Sequence, residues 1–230
     1  MALKLGVPSK GRLMEKTFDW FGARGLRLRR AGSDRDYAAV AEGLGGVEVV
    51  LLSAGEIPQE LAAGRIHLGV TGTDVLREKV ANWPAQVEEL APLGFGHADL
   101  IIAVPSHWVD VETLDDLDSV AAAFRREHGF RLRIATKYHR LVREYMQLHD
   151  IADYQLVDSQ GATEGTVKNE TAEAIADITS TGETLRANGL KILSEPPILA
   201  SQATLFRAKG ADWTDETQQT YARLQEMLDL

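Results

Sequence analysis

Residues 177–185 read DITSTGETL. They continue a run, Ala174 to Ile178, whose aliphatic side chains suit a strand buried on both faces, and they precede a short helical pattern. The stretch is thus a strand that ends in a polar turn and gives way to a helix, the repeating unit of an α/β protein. The same rhythm recurs along the chain. Leu3 to Val7, Val47 to Ser53, Ile66 to Thr71, Leu100 to Val104 and Leu132 to Ala135 read as further buried strands. Between them, Leu13, Met14, Thr17, Phe18 and Phe21 fall on one helical face, as do Leu114, Leu117, Ala121 and Phe124, then Tyr138, Leu141, Val142 and Tyr145. Thr113 and Asp116 form a capping-box variant, and a closing helix opens on Asp215 and Glu216 and carries Tyr221, Leu224 and Leu228 on its apolar face. Helices between successive strands favour parallel sheets, whose ligands bind beyond the carboxyl ends of the strands.

The chain has 230 residues, 44% hydrophobic and 26% charged, enough for one large domain or two lobes. A net charge of -9 disfavours a broad nucleic-acid-binding face, which needs surplus Lys and Arg against phosphates, but leaves room for local basic clusters. Without cysteine there is no disulfide, thiolate nucleophile or Cys-ligated zinc, so any catalysis must use oxygen and nitrogen groups. The opening MALKLGVPSKGRL has too short an apolar run for a signal peptide, and no stretch approaches the roughly 18 apolar residues of a membrane span. A soluble, cytoplasmic protein that engages neither membrane nor nucleic acid is expected. His67, His97, His107, His128 and His149 lack metal-ligand spacing and read as surface or packing residues, and no metal ligands are assigned.

Residues 177–185 carry the strongest chemical signal. Thr179, Ser180, Thr181 and Thr184 offer hydroxyl donors, and Gly182 lets the backbone approach an anion with its amides exposed at a helix start. Such a loop suits a phosphate monoester. Asp177 would repel phosphate, but its carboxylate accepts hydrogen bonds from both vicinal hydroxyls of a ribose, so one loop can hold a ribose 5-phosphate. The competing reading is a well-capped turn whose hydroxyls only satisfy the first helical amides. PSKGRL, residues 8–13, also follows a strand and precedes a helix, and it places Lys10 and Arg12 where two cations neutralise a pyrophosphate. The competing reading there is a solvated basic turn.

The pattern DxxxTGxTL at 177–185 resembles the phosphoribosyl pyrophosphate loop of phosphoribosyltransferases. The continuation RANGLKILSEPPILASQATL at 186–205 is similar to that of ATP phosphoribosyltransferases, and PSKGRL resembles the IPNKGRL opening of the same family. IHLGVTGTDVL at 66–76, LGFGHADLIIAVP at 93–105 and RIATKYHRLVREY at 133–145 extend the resemblance over nearly the whole chain, and together identify it as similar to the short-form ATP phosphoribosyltransferases, which lack an added C-terminal regulatory domain.

That resemblance implies a two-lobed α/β fold like the type II periplasmic binding proteins, with the active site in the cleft. Residues 1–98 and 195–230 would form lobe I and residues 99–194 lobe II. It implies transfer of phosphoribosyl to the adenine ring of ATP, the first step of histidine biosynthesis. Asp177, Thr179, Ser180, Thr181, Gly182, Glu183 and Thr184 would bind phosphoribosyl pyrophosphate; Lys10, Arg12 and a loop arginine, Arg35, would act with Asp177 in catalysis. Thr71, Gly72, Asp74, Lys137 and Tyr138 would bind the nucleotide, although Asp74 in isolation reads more readily as a helix cap. Magnesium would be held mainly through substrate phosphates. The partners implied are ATP, phosphoribosyl pyrophosphate, a second copy of the chain, and a regulatory subunit resembling histidyl-tRNA synthetase. A non-catalytic small-molecule binding protein of the same fold is the alternative.

Two stretches depart from the family. SAGEIP at 53–58 has Ser53 where many members carry an arginine that assists pyrophosphate departure, and Arg65, Lys10 or Arg12 are the candidates to replace its charge. GATEGTVKNETAEAIAD at 161–177 keeps Glu164 but replaces the usual Ala-Pro and Gly positions with Thr166, Val167 and Glu170. The cleft is expected to differ there.

Overall fold

The computed structural model describes residues 2–30, 38–159 and 161–230. In chain order the first part comprises β1 (Leu3–Pro8), α1 (Gly11–Gly22), β2 (Arg27–Arg30), β3 (Ala38–Glu42), β4 (Val47–Leu52), α2 (Ile57–Ala62), β5 (Leu68–Gly72), α3 (Thr73–Lys79), α4 (Trp83–Gln86) and β6 (Val87–Pro92). The middle comprises β7 (Ala98–Pro105), α5 (Leu114–His128), β8 (Leu132–Thr136), α6 (His139–Leu148), β9 (Tyr154–Asp158), α7 (Gly165–Lys168), β10 (Ala174–Thr179), α8 (Glu183–Ala187), β11 (Leu190–Ile192) and β12 (Leu199–Ser201). The chain closes with β13 (Ala203–Ala208) and α9 (Asp215–Leu228). It divides into two compact units, Met1–His97 with Gln202–Leu230, and Ala98–Ser201. The middle unit runs to Ser201, beyond the expected 194, because β12 pairs with β7.

In the first unit seven strands lie in the order β2-β3-β4-β1-β5-β13-β6. β4, β1 and β5 are parallel, as the helices between them require, but the sheet is mixed. Residues 43–46 alone join β3 to β4, too few for a crossover helix, so that pair is antiparallel, as are β2 with β3 and β13 with both neighbours. Period-two alternation sorts side chains to two faces. Leu3, Leu5, Val7, Leu68 and Val70 pack with Phe21 of α1 and Leu224 and Leu228 of α9; Phe206 packs on the other face with Ile57 and Leu61 of α2 and Leu76 of α3. A Cβ at Gly69 would lie 2.7 Å from Ile57 Cγ2, so this glycine makes room for α2 and not for a ligand.

His67 joins three segments of this unit. It is 3% exposed; its Nδ1 accepts from the Lys4 amide at 3.0 Å and its Nε2–H donates to the Asp212 carbonyl at 3.1 Å, while Trp213 meets the ring edge-on. Those contacts fix the neutral Nε2–H tautomer and account for this histidine as packing. His67→Leu keeps volume but orphans a buried backbone donor and acceptor, at a cost of about 2–3 kcal/mol. The thermal unfolding midpoint is expected to fall by roughly 5–10 °C in calorimetry.

The second unit contains β11-β7-β10-β8-β9, with β12 also on β7; β10, β8 and β9 are parallel, and β7 runs against β10. Leu100, Ile102 and Val104 pack with Leu114, Leu117 and Ala121 of α5 and Leu141, Val142 and Met146 of α6. Ile101, Ala103 and Ile175 face the opposite way, toward Leu185 of α8. α5 carries the complete capping box: the Thr113 hydroxyl accepts from the Asp116 amide at 3.2 Å, and the Asp116 carboxylate accepts from the Thr113 amide at 2.9 Å. The Asp116 carboxylate also accepts from the Thr113 hydroxyl at 2.7 Å, and this bond foremost, then those from the Glu112 and Thr113 amides, holds the carboxyl below the usual range. No helix among the described residues is long and apolar enough to cross a membrane.

Candidate active site

In the second unit, residues 177–185 form one wall of a cavity of about 270 Å³, lined also by Ala98 and Glu164. β10 delivers Asp177 to it, and at 8% exposure this is a nearly buried carboxylate. Its Oδ1 accepts from the Ile178 amide at 2.8 Å and from Lys137 Nζ at 3.2 Å. Lys137 lies just beyond β8, and its ammonium is also 5.7 Å from the centre of the Tyr138 ring.

The turn itself is pre-formed. Thr179 Oγ1 accepts from the Gly182 amide at 2.9 Å, and Arg186 Nη2 donates to the Thr181 carbonyl at 3.0 Å. Gly182 is buried at φ +71°, ψ 4°, a left-handed conformation that glycine adopts without a Cβ penalty. Ser180, Thr181, Glu183 and Thr184 are exposed along the cavity wall. α8 has five residues, so its dipole is minor, and what the turn offers an anion is its hydroxyls and amides. Glu164, Asp177 and Glu183 put three carboxylates around the cavity, suited to hydroxyl groups and cation-neutralised phosphates rather than to a bare anion.

Tyr138 is buried, with its amide donating to Thr136 Oγ1 at 2.9 Å, so it is part of the support under Lys137. His139 Nε2 lies 3.3 Å from Asp158 Oδ1 on the surface side of α6. No cluster of three or more potential metal ligands occurs among the described residues.

In the first unit, Lys10 and Arg12 are exposed at the carboxyl end of β1, where the Ser9 amide donates to Leu52 of β4 at 2.8 Å. The neighbouring end of β5 carries Thr71, whose buried hydroxyl donates to the Ala54 carbonyl at 2.9 Å. Gly72, and not Asp74, is the N-cap residue of α3; Asp74 lies buried in its first turn. Three adjacent strand ends therefore bring Lys10, Ser53 and Thr71 to one edge. Arg35 lies outside the described residues.

Arg65, one candidate for the charge that Ser53 lacks, is exposed and held bidentately by Glu60, at 2.7 and 2.6 Å. A different cation comes close: Lys79 Nζ, at the end of α3, lies 3.6 Å from a Cβ placed on Gly55. It contributes, after hydrogen bonds from the Ser53 backbone and side chain, to holding the Glu56 carboxyl below its usual range. Lys79 lies 26 residues from Ser53, and only the packing of α3 beside α2 reveals it. Glu164 was equally hard to single out, since its only signal was its survival in a stretch that otherwise departs from the family.

A family model for HisG, ATP phosphoribosyltransferase, matches residues 53–229. The ATP phosphoribosyltransferase of Cereibacter sphaeroides is 72% identical over 215 residues, covering 94% of this chain and 91% of that one. That of Bradyrhizobium diazoefficiens is 49% identical over 216 residues, covering 94% of this chain but only 66% of its own length. Among solved structures, the ATP phosphoribosyl transferase (HisG:HisZ) complex from Thermotoga maritima superposes with a TM-score of 0.72 at 22% identity, over 99% of this chain and 98% of that one. An ABC-transporter choline binding protein superposes with a TM-score of 0.53 at 13% identity, over 98% of this chain and 77% of that one. The two structural likenesses speak to fold, which is the two-lobed periplasmic-binding-protein type. The sequence matches go further, and by them this chain belongs to the HisG family of ATP phosphoribosyltransferases, the transferases of the first step of histidine biosynthesis.

Proposed function

We propose that this chain joins the ribose of phosphoribosyl pyrophosphate to a ring nitrogen of the adenine of ATP. The bond from the anomeric carbon to pyrophosphate breaks as the bond to nitrogen forms, giving phosphoribosyl-ATP and pyrophosphate. The observation that carries this reading is the cavity in which a nearly buried Asp177 stands beside a pre-formed hydroxyl-rich turn. Thr179, Ser180, Thr181, Gly182, Glu183 and Thr184 hold the 5-phosphate, and Asp177 accepts the ribose hydroxyls. Lys10 and Arg12 face pyrophosphate or the ATP phosphates, together with Arg35, while Thr71, Gly72 and Asp74 meet the nucleotide.

No side chain is needed as a covalent nucleophile. Charge grows on the departing pyrophosphate and on an oxocarbenium-like ribose, so positioning and fixed positive charge carry the rate. Magnesium would enter on the substrate phosphates, and carboxylate oxygens of the cavity would be available to help hold it. It would supply positive charge to neutralise the phosphates against Glu164, Asp177 and Glu183. The protein is further proposed to be cytoplasmic and to form a dimer that joins a regulatory subunit resembling histidyl-tRNA synthetase. Support comes from the family resemblance and from the two-component complex named for Thermotoga maritima.

The test is a magnesium-dependent assay of the purified chain with ATP and phosphoribosyl pyrophosphate, pyrophosphatase present, with and without that partner. Phosphoribosyl-ATP is the expected product. Binding of phosphoribosyl pyrophosphate without turnover under either condition would leave a binding protein of the same fold.

A further inference from the structure

We propose that Lys137 is a positioning residue for the ribose, acting through Asp177, and not a nucleotide contact. The inference rests on the function proposed above and assigns a role within that site.

The geometry comes from strand register. β8 and β10 are parallel with Ile134 opposite Ala174 and Ala135 opposite Ile175, a constant separation of 40 residues. The same separation links Arg133 to Glu173, where the carboxylate accepts from the Arg133 amide at 2.7 Å and from its guanidinium. It also links Lys137 to Asp177 at the other end of the pair. One ion pair thus anchors the two strands where they enter the sheet, and a second stands where they leave it, at the carboxyl ends where ligands of such sheets bind.

The two pairs differ in a way that marks the second as functional. Glu173 engages Arg133 through both carboxylate oxygens. Asp177 engages its partners through Oδ1 alone, and no hydrogen bond to its Oδ2 occurs among the described residues. The Ile178 amide and the Lys137 ammonium therefore fix the plane of the carboxylate and leave the second oxygen to the cavity. A carboxylate held by one oxygen presents the other to the vicinal hydroxyls of a ribose without rotational loss. The ammonium, packed between Asp177 and the Tyr138 ring, is 44% exposed as a side chain, against 12% for Asp177.

The experiment compares the full chain with Lys137→Met, Lys137→Arg, Asp177→Asn and the Lys137→Met/Asp177→Asn double variant, with the regulatory subunit present where activity requires it. The readouts are KM for each substrate, kcat, and calorimetric binding of phosphoribosyl pyrophosphate. Lys137→Met is expected to weaken phosphoribosyl pyrophosphate about tenfold, as loss of one charged hydrogen bond does, while KM for ATP moves less than about twofold. Lys137→Arg should recover most of the loss, and the double variant should be no worse than Asp177→Asn alone, since both changes act through one carboxylate. A rise in KM for ATP with phosphoribosyl pyrophosphate unaffected would overturn the proposal and return Lys137 to the nucleotide. Additive losses in the double variant would equally overturn it, by showing a direct contact. If the unaltered chain neither binds nor consumes phosphoribosyl pyrophosphate, the functional reading itself fails, and this proposal with it.

Discussion

Asp177→Asn should lower kcat/KM for phosphoribosyl pyrophosphate by about 100-fold, equivalent to about 2.7 kcal/mol of transition-state stabilisation. The amide is nearly isosteric and 177 is a strand residue facing the cavity, so the fold should survive. Three things change. One acceptor oxygen becomes a donor and opposes the ribose hydroxyls instead of accepting from them. The full negative charge that would strengthen those bonds and stabilise a developing oxocarbenium ion is gone. Lys137 loses its counter-ion beside the substrate. KM for ATP should stay within about threefold, because the lost bonds belong to the other substrate. Steady-state kinetics with each substrate varied in turn, alongside a thermal melt, decides it. A loss smaller than about fivefold with folding intact would place the ribose elsewhere.

The second large effect is expected at Gly182. With φ at +71° it occupies a region that β-branched residues avoid strongly, and a Cβ built there lies 3.0 Å from Arg186 Nη1 and 3.4 Å from Ile192 Cδ1. Arg186 is the residue whose Nη2 holds the Thr181 carbonyl. A larger side chain therefore strains the turn and pushes away the group that braces it. Gly182→Ala should cost about 1 kcal/mol of stability and Gly182→Val about 2–3 kcal/mol. Binding of phosphoribosyl pyrophosphate should fall by about tenfold or more in the valine variant, since the amides and hydroxyls of 179–184 no longer converge. Calorimetric titration and differential scanning on the same samples separate the two effects. A valine variant that binds normally would show that the turn's conformation is not what recognises the phosphate.

Both sites were visible in the sequence for local reasons. A run of aliphatic residues followed by hydroxyls and one glycine can be read because strand burial, turn chemistry and helix initiation are each settled within a few residues. The six strands expected from Leu3 to Ile178 all occur, since each is an apolar run that buries itself whatever its neighbours are. β2, with Arg27, Arg29 and Arg30 around a single buried Leu28, could not be seen that way. It exists because β3 pairs with it, and pairing is not a local property. Helices between successive strands favoured parallel order, which holds for β4, β1 and β5 and for β10, β8 and β9, whereas β7 and β13 find antiparallel partners from distant parts of the chain.

By itself the sequence determined the α/β class, the hydroxyl-rich turn after β10, its aspartate and the basic turn after the first strand, because each depends on neighbours within one turn or strand. Only the tertiary structure decided which distant groups meet them. The 40-residue register of β8 and β10 brings Lys137 to Asp177, the packing of α3 beside α2 brings Lys79 to Gly55, and Glu60 pairs with Arg65. Register and helix packing are set by the sum of many weak apolar contacts over whole sheets, and no short stretch of sequence contains that sum.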